Sequence, residues 1–304
     1  MDQLTDTVLM ISPDQFGFNQ ETAASNAFQN QVDIGQKELQ KKALAEFEQM
    51  IHLLKSKKIN VLVLASRKDV TTPDAVFPNN WFSSHPGKLV LYPMLAKNRR
   101  AERQLEALTE LLHKKGVDAL KIIDLIADEN RGSILEGTGS LVLDRSSRTA
   151  YAMESPRTTK VEFDKWCQIM NYQGIFFHAY DENSLPIYHT NVVMSIGDDF
   201  AVIGLDAVKN RQEQKNLVDK LTENGRKLIP LSQKQIYSFC ANILQLKVSE
   251  TNKKIVMSQT AFTSFTSEQK RLLEKSGEII AVEIPTIEKV GGGSARCMMA
   301  EIFP

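Results

Sequence analysis

A pattern of strand, strand, helix and strand recurs along this chain at a spacing of roughly 60 residues, and it constrains the fold more than any single motif does. Residues 8–11 are a short apolar run, followed by a helix with Leu39, Ala43, Phe47, Met50, Ile51 and Leu54 on one face. Residues 61–64 read as a buried strand, and 76–83 with 89–92 as a hairpin turning at His85-Pro86-Gly87. The order then repeats. A helix with Leu105, Leu108, Leu111 and Leu112 leads to strand 120–123 and a hairpin of 133–143 with 150–153. Phe163, Trp166, Cys167 and Met170 mark the next helix, before strand 175–177 and a hairpin of 190–196 with 200–204. Leu217, Val218 and Leu221 mark another, before Leu228 and Ile229. A short helix at 236–240 precedes the hairpin of 243–248 with 255–258. Thr266 and Gln269 have capping-box spacing and open the last helix. Strand 279–284 then runs into the glycines at 291–293, and 298–303 reads as a final strand.

Units of this kind suit a radial array. The first unit has a single strand before its helix, and the unpaired strand at the other end of the chain is its natural partner. The pattern predicts an α/β fold: a five-bladed propeller of ββαβ units closed by the N- and C-terminal strands. A doubly wound α/β sheet also alternates helices and strands, but the antiparallel hairpin in every unit argues against it. No low-complexity linker interrupts the series, so residues 1–304 are expected to form one domain.

In a closed ring, one phase of the repeat faces one mouth of the axis. Phe77-Pro78-Asn79-Asn80, Leu135-Glu136-Gly137-Thr138-Gly139, Tyr188-His189-Thr190-Asn191, Asn242 and Cys297 all occupy the phase where a hairpin or the last strand begins. A carboxylate, an imidazole and a thiol therefore converge from distant segments. Three consecutive glycines at 291–293 allow close backbone approach just before Cys297, beside Arg296. A thiol near fixed positive charge is where a thiolate is stabilised. Cys167 and Cys240 lie on apolar faces and read as core. His52 and His113 read as solvated, and His85 and His178 carry no role.

Composition removes other classes. Thirty-seven basic and thirty-seven acidic residues leave no basic field for nucleic acid or an anionic membrane. The apolar stretches are strand-length, too short to span a bilayer. The first residues lack a signal-peptide layout, and three scattered cysteines make no disulfide framework, so a cytoplasmic protein is expected. No Cys-x-x-Cys, His-x-x-x-His or Asp-rich loop occurs, and no metal or cofactor is expected.

From Phe16-Gly17-Phe18-Asn19 to the terminal Gly-Gly-Gly-Ser-x-Arg-Cys, the sequence resembles the guanidino-group-modifying enzymes, the pentein or amidinotransferase superfamily. It is most similar to the citrulline-utilisation hydrolase-type, arginine deiminase-related branch. The resemblance implies a five-bladed propeller and a small-molecule guanidino or ureido substrate. It implies Cys297 as nucleophile, His189 as general acid/base and Glu136 as the carboxylate for the substrate's terminal nitrogens. Asn80 stands where many relatives carry a guanidinium-gripping aspartate, and Phe77 opens that motif. Arg100 and Glu102 resemble an Arg-Arg-x-Glu segment. Arg157, in Ser-x-Arg-Thr, is implied as the partner of a substrate carboxylate, with Arg296 as its rival or as a charge beside the thiol. Relatives usually show His-x-Asp where this chain has Asn191, and Asp74 is near enough to supply a substitute carboxylate. The expected activity is cysteine-dependent hydrolysis of guanidino or ureido C–N bonds through a covalent adduct. An amidinotransferase and a non-catalytic ring-shaped binding protein are the alternatives, and homo-oligomerisation stays open.

Overall fold

The computed structural model describes residues 2–118 and 120–303; Met1, Ala119 and Pro304, which the sequence reading included, lie outside those ranges. The chain begins with β1 (Thr7–Ile11), the helix Gln36–Ser56 and β2 (Asn60–Leu64), which is parallel to β1. Next come β3 (Phe82–His85) and β4 (Lys88–Leu91), an antiparallel hairpin, with β5 (Lys121–Asp124) parallel to β4. The same plan gives β6 (Val142–Asp144), β7 (Thr149–Met153) and β8 (Gln173–Phe177). It gives β9 (Met194–Ile196), β10 (Phe200–Ile203) and β11 (Lys227–Pro230), then β12 (Leu244–Ser249), β13 (Asn252–Ser258) and β14 (Glu278–Val282). Finally β15 (Ala300–Ile302) returns to β1, antiparallel, pairing Ile302 with Thr7 and Ala300 with Leu9.

The described residues form five three-stranded sheets, with β15, β3, β6, β9 and β12 innermost. The inner strands β15 and β3, β6 and β9, and β9 and β12 pack side by side. Side-chain alternation along each middle strand closes the circle, because successive residues point to opposite faces. Val8 and Met10 of β1 pack with Leu246, Val256 and Ile280 of the β12–β14 sheet, whereas Leu9 and Ile11 pack with Phe82 and Leu89 of the β3–β5 sheet. Val90 continues to Ala150, Tyr151 to Ala201, and Val202 to Ile255. Each sheet thus shares one apolar wedge with each neighbour, and the fifth wedge returns to the first sheet. This is the five-bladed α/β propeller, closed by the strands from the two chain ends.

At least one helix packs into each wedge. Helix Gln36–Ser56 buries Leu39, Ala43, Phe47, Met50 and Leu54, the face read from sequence. Helix Ser267–Glu274 opens with the capping box of Thr266 and Gln269.

The differences from the sequence reading concentrate near the axis. Residues 76–81, 133–141 and 190–193 read as strand, but the structure has short helical turns there: Pro78–Asn80, Gly137–Ser140 and Thr190–Val193. Pro78 has no N–H for a ladder, and Gly137 has φ +47°, outside the extended region. The last strand likewise starts only at Ala300, after a turn through Cys297. Between β14 and the glycines there is a helix, Pro285–Gly291, unrecognised in the sequence. Pro285 stands at its start, and the Glu46 carboxylate caps it from another element, accepting from the N–H of Thr286 at 2.9 Å and Ile287 at 3.0 Å.

Candidate active site

The helical turns that replace the expected strand starts build the site. Each delivers one or two polar side chains to the same end of the axis, and glycines let the turns touch. A Cβ on Gly137 would sit 2.2 Å from the Asn79 carbonyl oxygen, and one on Gly139 would sit 2.5 Å from Asn80 Nδ2 and 2.7 Å from His189 Nδ1. A Cβ on Gly291 or Gly293 would collide with the Phe77 ring at 2.7 or 2.9 Å. The glycine stretch before Cys297 is therefore a seat for Phe77. Tyr188 Oη donates to the Gly292 carbonyl at 2.5 Å and ties the seat to the third hairpin.

Cys297, His189, Arg157, Asp74, Asn80 and Phe77 line one small cavity. Arg99, Tyr188, Asn26 and the three glycines complete its wall. The volume is about 10 Å³, room for about one water. Segment 19–30 covers it: Asn26 Nδ2 donates to Gly292 O at 3.3 Å, and Arg157 donates to Thr22 O at 3.1 Å and Ser25 Oγ at 3.0 Å.

Glu136 stands behind His189 and is not itself on the cavity wall. Its Oε2 accepts from His189 Nε2 at 2.9 Å, with Arg157 Nη1 at 3.6 Å, and its Oε1 accepts from the Leu95 N–H at 3.1 Å. Burial disfavours the Glu136 carboxylate, but Arg157, His189 and Arg99 outweigh it and bring its pKa down to about 2. Burial pushes His189 the other way, to about 4 even with Glu136 beside it, so the imidazole rests neutral at neutral pH. A neutral ring donating through Nε2 leaves Nδ1 as the nitrogen that can take a proton.

Asp74 is 2 % exposed. Its Oδ2 accepts from Asn19 Nδ2 at 2.7 Å and Thr22 Oγ1 at 3.2 Å, with Arg99 Nε at 3.7 Å. Its Oδ1 has no hydrogen-bond partner among the described residues. Buried carboxylate oxygens are costly to leave unpaired, so this one is open to a donor entering the cavity. Asn80 presents Oδ1 to Arg99 Nη1 at 2.6 Å.

Asn191 and Arg296 lie elsewhere. Both border a second cavity, which Cys297 does not line, with Gln3, Ser195 and Glu301. Asn191 Nδ2 points at Cys297 Sγ from 3.5 Å, and Arg296 is occupied by Met299 O at 2.8 Å and Glu301 Oε2 at 2.8 Å. Arg99, not Arg100, is the arginine of the Arg-Arg-x-Glu segment that meets Glu102, through two bonds of 2.9 Å. Helical spacing held that signal, since residues three apart face each other and residues two apart do not. Asn242 was placed in the right phase by sequence but given no role there. Tyr188 stood in the third-hairpin motif without a role of its own, and of the covering segment only Asn19 fell in a motif.

The sequence profile of the N,N dimethylarginine dimethylhydrolase family, eukaryotic, matches residues 12–304. The chain belongs to this family. Compared directly, its sequence matches no curated protein. Among solved structures, the N-terminal domain of ArgZ, a cyanobacterial arginine dihydrolase of the ornithine-ammonia cycle, superposes with a TM-score of 0.76. Identity is 16 %, over 97 % of this chain and 97 % of that one, in a cysteine-to-serine mutant bound to substrate. A second ArgZ domain structure, covalently bonded to a reaction intermediate, gives 0.75 at 16 % identity, over 98 % and 97 %. A dimethylarginine dimethylaminohydrolase carrying an S-methyl-L-thiocitrulline adduct gives 0.66 at 14 % identity, over 99 % and 100 %. The dimethylarginine dimethylhydrolase family sits among the guanidino-modifying enzymes, in agreement with the resemblance read from sequence. Among the described residues, no helix is long and apolar enough to cross a membrane.

Proposed function

We propose that this member of the family is a cysteine-dependent hydrolase of the guanidino C–N bonds of arginine-like small molecules, with residues 1–304 acting as one catalytic domain. The observation that carries the reading is one buried cavity holding a thiol, an imidazole braced by a carboxylate, and an unpartnered Asp74 oxygen. Cys297 attacks the planar guanidino carbon as a thiolate. Because His189 rests neutral, its Nδ1 takes the thiol proton and gives it to the departing amine. The sulphur is then bonded to an amidino carbon. His189, neutral again, removes a proton from water; the water attacks that carbon, and the C–S bond breaks to release a ureido product and the thiol.

Glu136 holds the imidazole in the tautomer this sequence needs. Asp74 receives the substrate's cationic end through its free oxygen, and Arg157 exchanges Thr22 and Ser25 for the substrate carboxylate, which its planar fork suits. A cavity this small implies that segment 19–30 moves aside as substrate enters. Three free thiols fit a cytoplasmic location.

The test is a panel of arginine, N-methylated arginines and citrulline, assayed for released ammonia or methylamines and for ureido product. Turnover is expected with at least one arginine, lost in Cys297→Ser, with a mass adduct on Cys297 in the unaltered chain. Amidino transfer to an added amine would move the assignment to a transferase. Full activity in Cys297→Ser would remove the mechanism.

A further inference from the structure

We infer that Asn242 is the group that holds and stabilises the Cys297 sulphur from behind, working with Asn191. This rests on Cys297 being the nucleophile of the proposed function and adds the residue that prepares it. The Asn242 amide grips Cys297 at two points: Nδ2 lies 3.2 Å from Sγ, and Oδ1 accepts from the Cys297 N–H at 3.3 Å. These contacts fix which way the amide points. Nδ2 also donates to the Asn191 carbonyl at 3.2 Å, so it faces two acceptors while Oδ1 faces a donor. In that orientation the sulphur receives a hydrogen bond from Nδ2, the arrangement that favours thiolate over thiol. Asn191 Nδ2, at 3.5 Å, adds a second donor on the same side.

The backbone around Asn242 is shaped to this end. Asn242 is fully buried, its N–H bonds to Phe239 O at 2.8 Å, and its carbonyl accepts from the Arg296 N–H at 3.4 Å. Phe239, buried and not glycine, has φ +58°, and a strained residue of this kind persists where its surroundings demand it. The charged and titratable groups around the sulphur come from other elements: Tyr188 and His189 from the third hairpin, Arg296 beside it, and Asp74, Arg99 and Arg157 across the cavity. Asn242 does not border that cavity, so it serves the nucleophile without touching substrate.

The experiment follows alkylation of Cys297 by iodoacetamide against pH, read by peptide mass spectrometry on the whole chain. Cys167 and Cys240, whose thiols burial pushes up to about 12, are slow internal references. Asn242→Asp keeps the shape but sets a carboxylate against the sulphur. It should move the alkylation profile to higher pH and slow reaction at neutral pH about ten-fold or more. Asn242→Ser, which keeps one donor, should fall between that variant and the unaltered chain. With any substrate that turns over, kcat should fall while KM stays. Unchanged alkylation profiles in both folded variants would overturn the inference, and so would a rise in KM alone. The alkylation arm needs no substrate, so it can succeed if the assigned substrate class fails, and fail if that class stands.

Discussion

The first and third sheets share one strand plan but differ in origin. The third, β6 to β8, comes from the contiguous stretch Val142 to Phe177. The first joins Thr7–Ile11 to Ala300–Ile302, so its inner strand arrives from the far end of the chain. Local sheets form from short-range contacts, whereas a sheet closed across the whole chain incurs a long loop-closure cost before its contacts repay it. The proposed nucleophile sits on the segment that makes this distant closure, while His189 and Glu136 sit on locally built hairpins. Ring closure is thus the step that brings the proposed nucleophile to the imidazole and its carboxylate.

The largest effect should come from the glycine where two hairpin turns meet. Gly137→Ala adds a Cβ 2.2 Å from a main-chain oxygen at φ +47°. A loss of about 4 kcal/mol or more is expected by denaturant unfolding, with activity abolished. Next, Ile302→Ala in β15 removes a side chain that is 1 % exposed and should cost about 2 to 5 kcal/mol. Leu217→Ala, in the fourth-sheet helix Arg211–Thr222, should cost a similar amount. The two separate in function: the β15 variant should lose Cys297 reactivity below its unfolding midpoint, the helix variant only with global unfolding. Equal behaviour would break the comparison.

Acid comes third. His189 has a folded pKa of about 4 against 6.5, so the fold favours its neutral form. That contribution is complete above pH 6.5 and is lost as pH falls toward 4, by up to about 3 kcal/mol. Glu136, at about 2 against 4.5, holds its contribution above 4.5 and loses it as pH falls toward 2. Urea midpoints measured against pH should therefore drop in two successive windows, and His189→Gln should flatten the upper one. Smallest of all, Lys215→Ala removes an exposed pair with Asp219 and should change stability by about 0.5 kcal/mol or less.

The propeller was legible because its signal is periodic and apolar. Leu39 to Leu54 fix a helix, and Val8 to Ile11 fill two wedges by alternation. Asn80, Glu136, His189, Asn242 and Cys297 likewise share one phase of the repeat, which was legible in the sequence. What failed was local geometry there: residues 76–81 and 190–193 look like strands because Val76, Phe77, Trp81, Val192 and Val193 are apolar and buried, yet they turn. Burial by itself does not distinguish the two, and the deciding contacts, such as Asn79 against Gly137, join distant segments. Arg157 was found by motif, but its bonds to Thr22 and Ser25 depend on a covering segment with no periodic signal.

Phe77 resting on Gly291 and Gly293 has a temporal meaning as well as a spatial one. During N-to-C synthesis the aromatic ring emerges long before the glycines that accept it, and four hairpins can settle meanwhile. Until that late segment docks, the imidazole and its carboxylate lack the sulphur that the proposed mechanism requires. On the proposed mechanism, a chain whose Phe77 ring has yet to seat on those glycines is silent toward guanidino compounds.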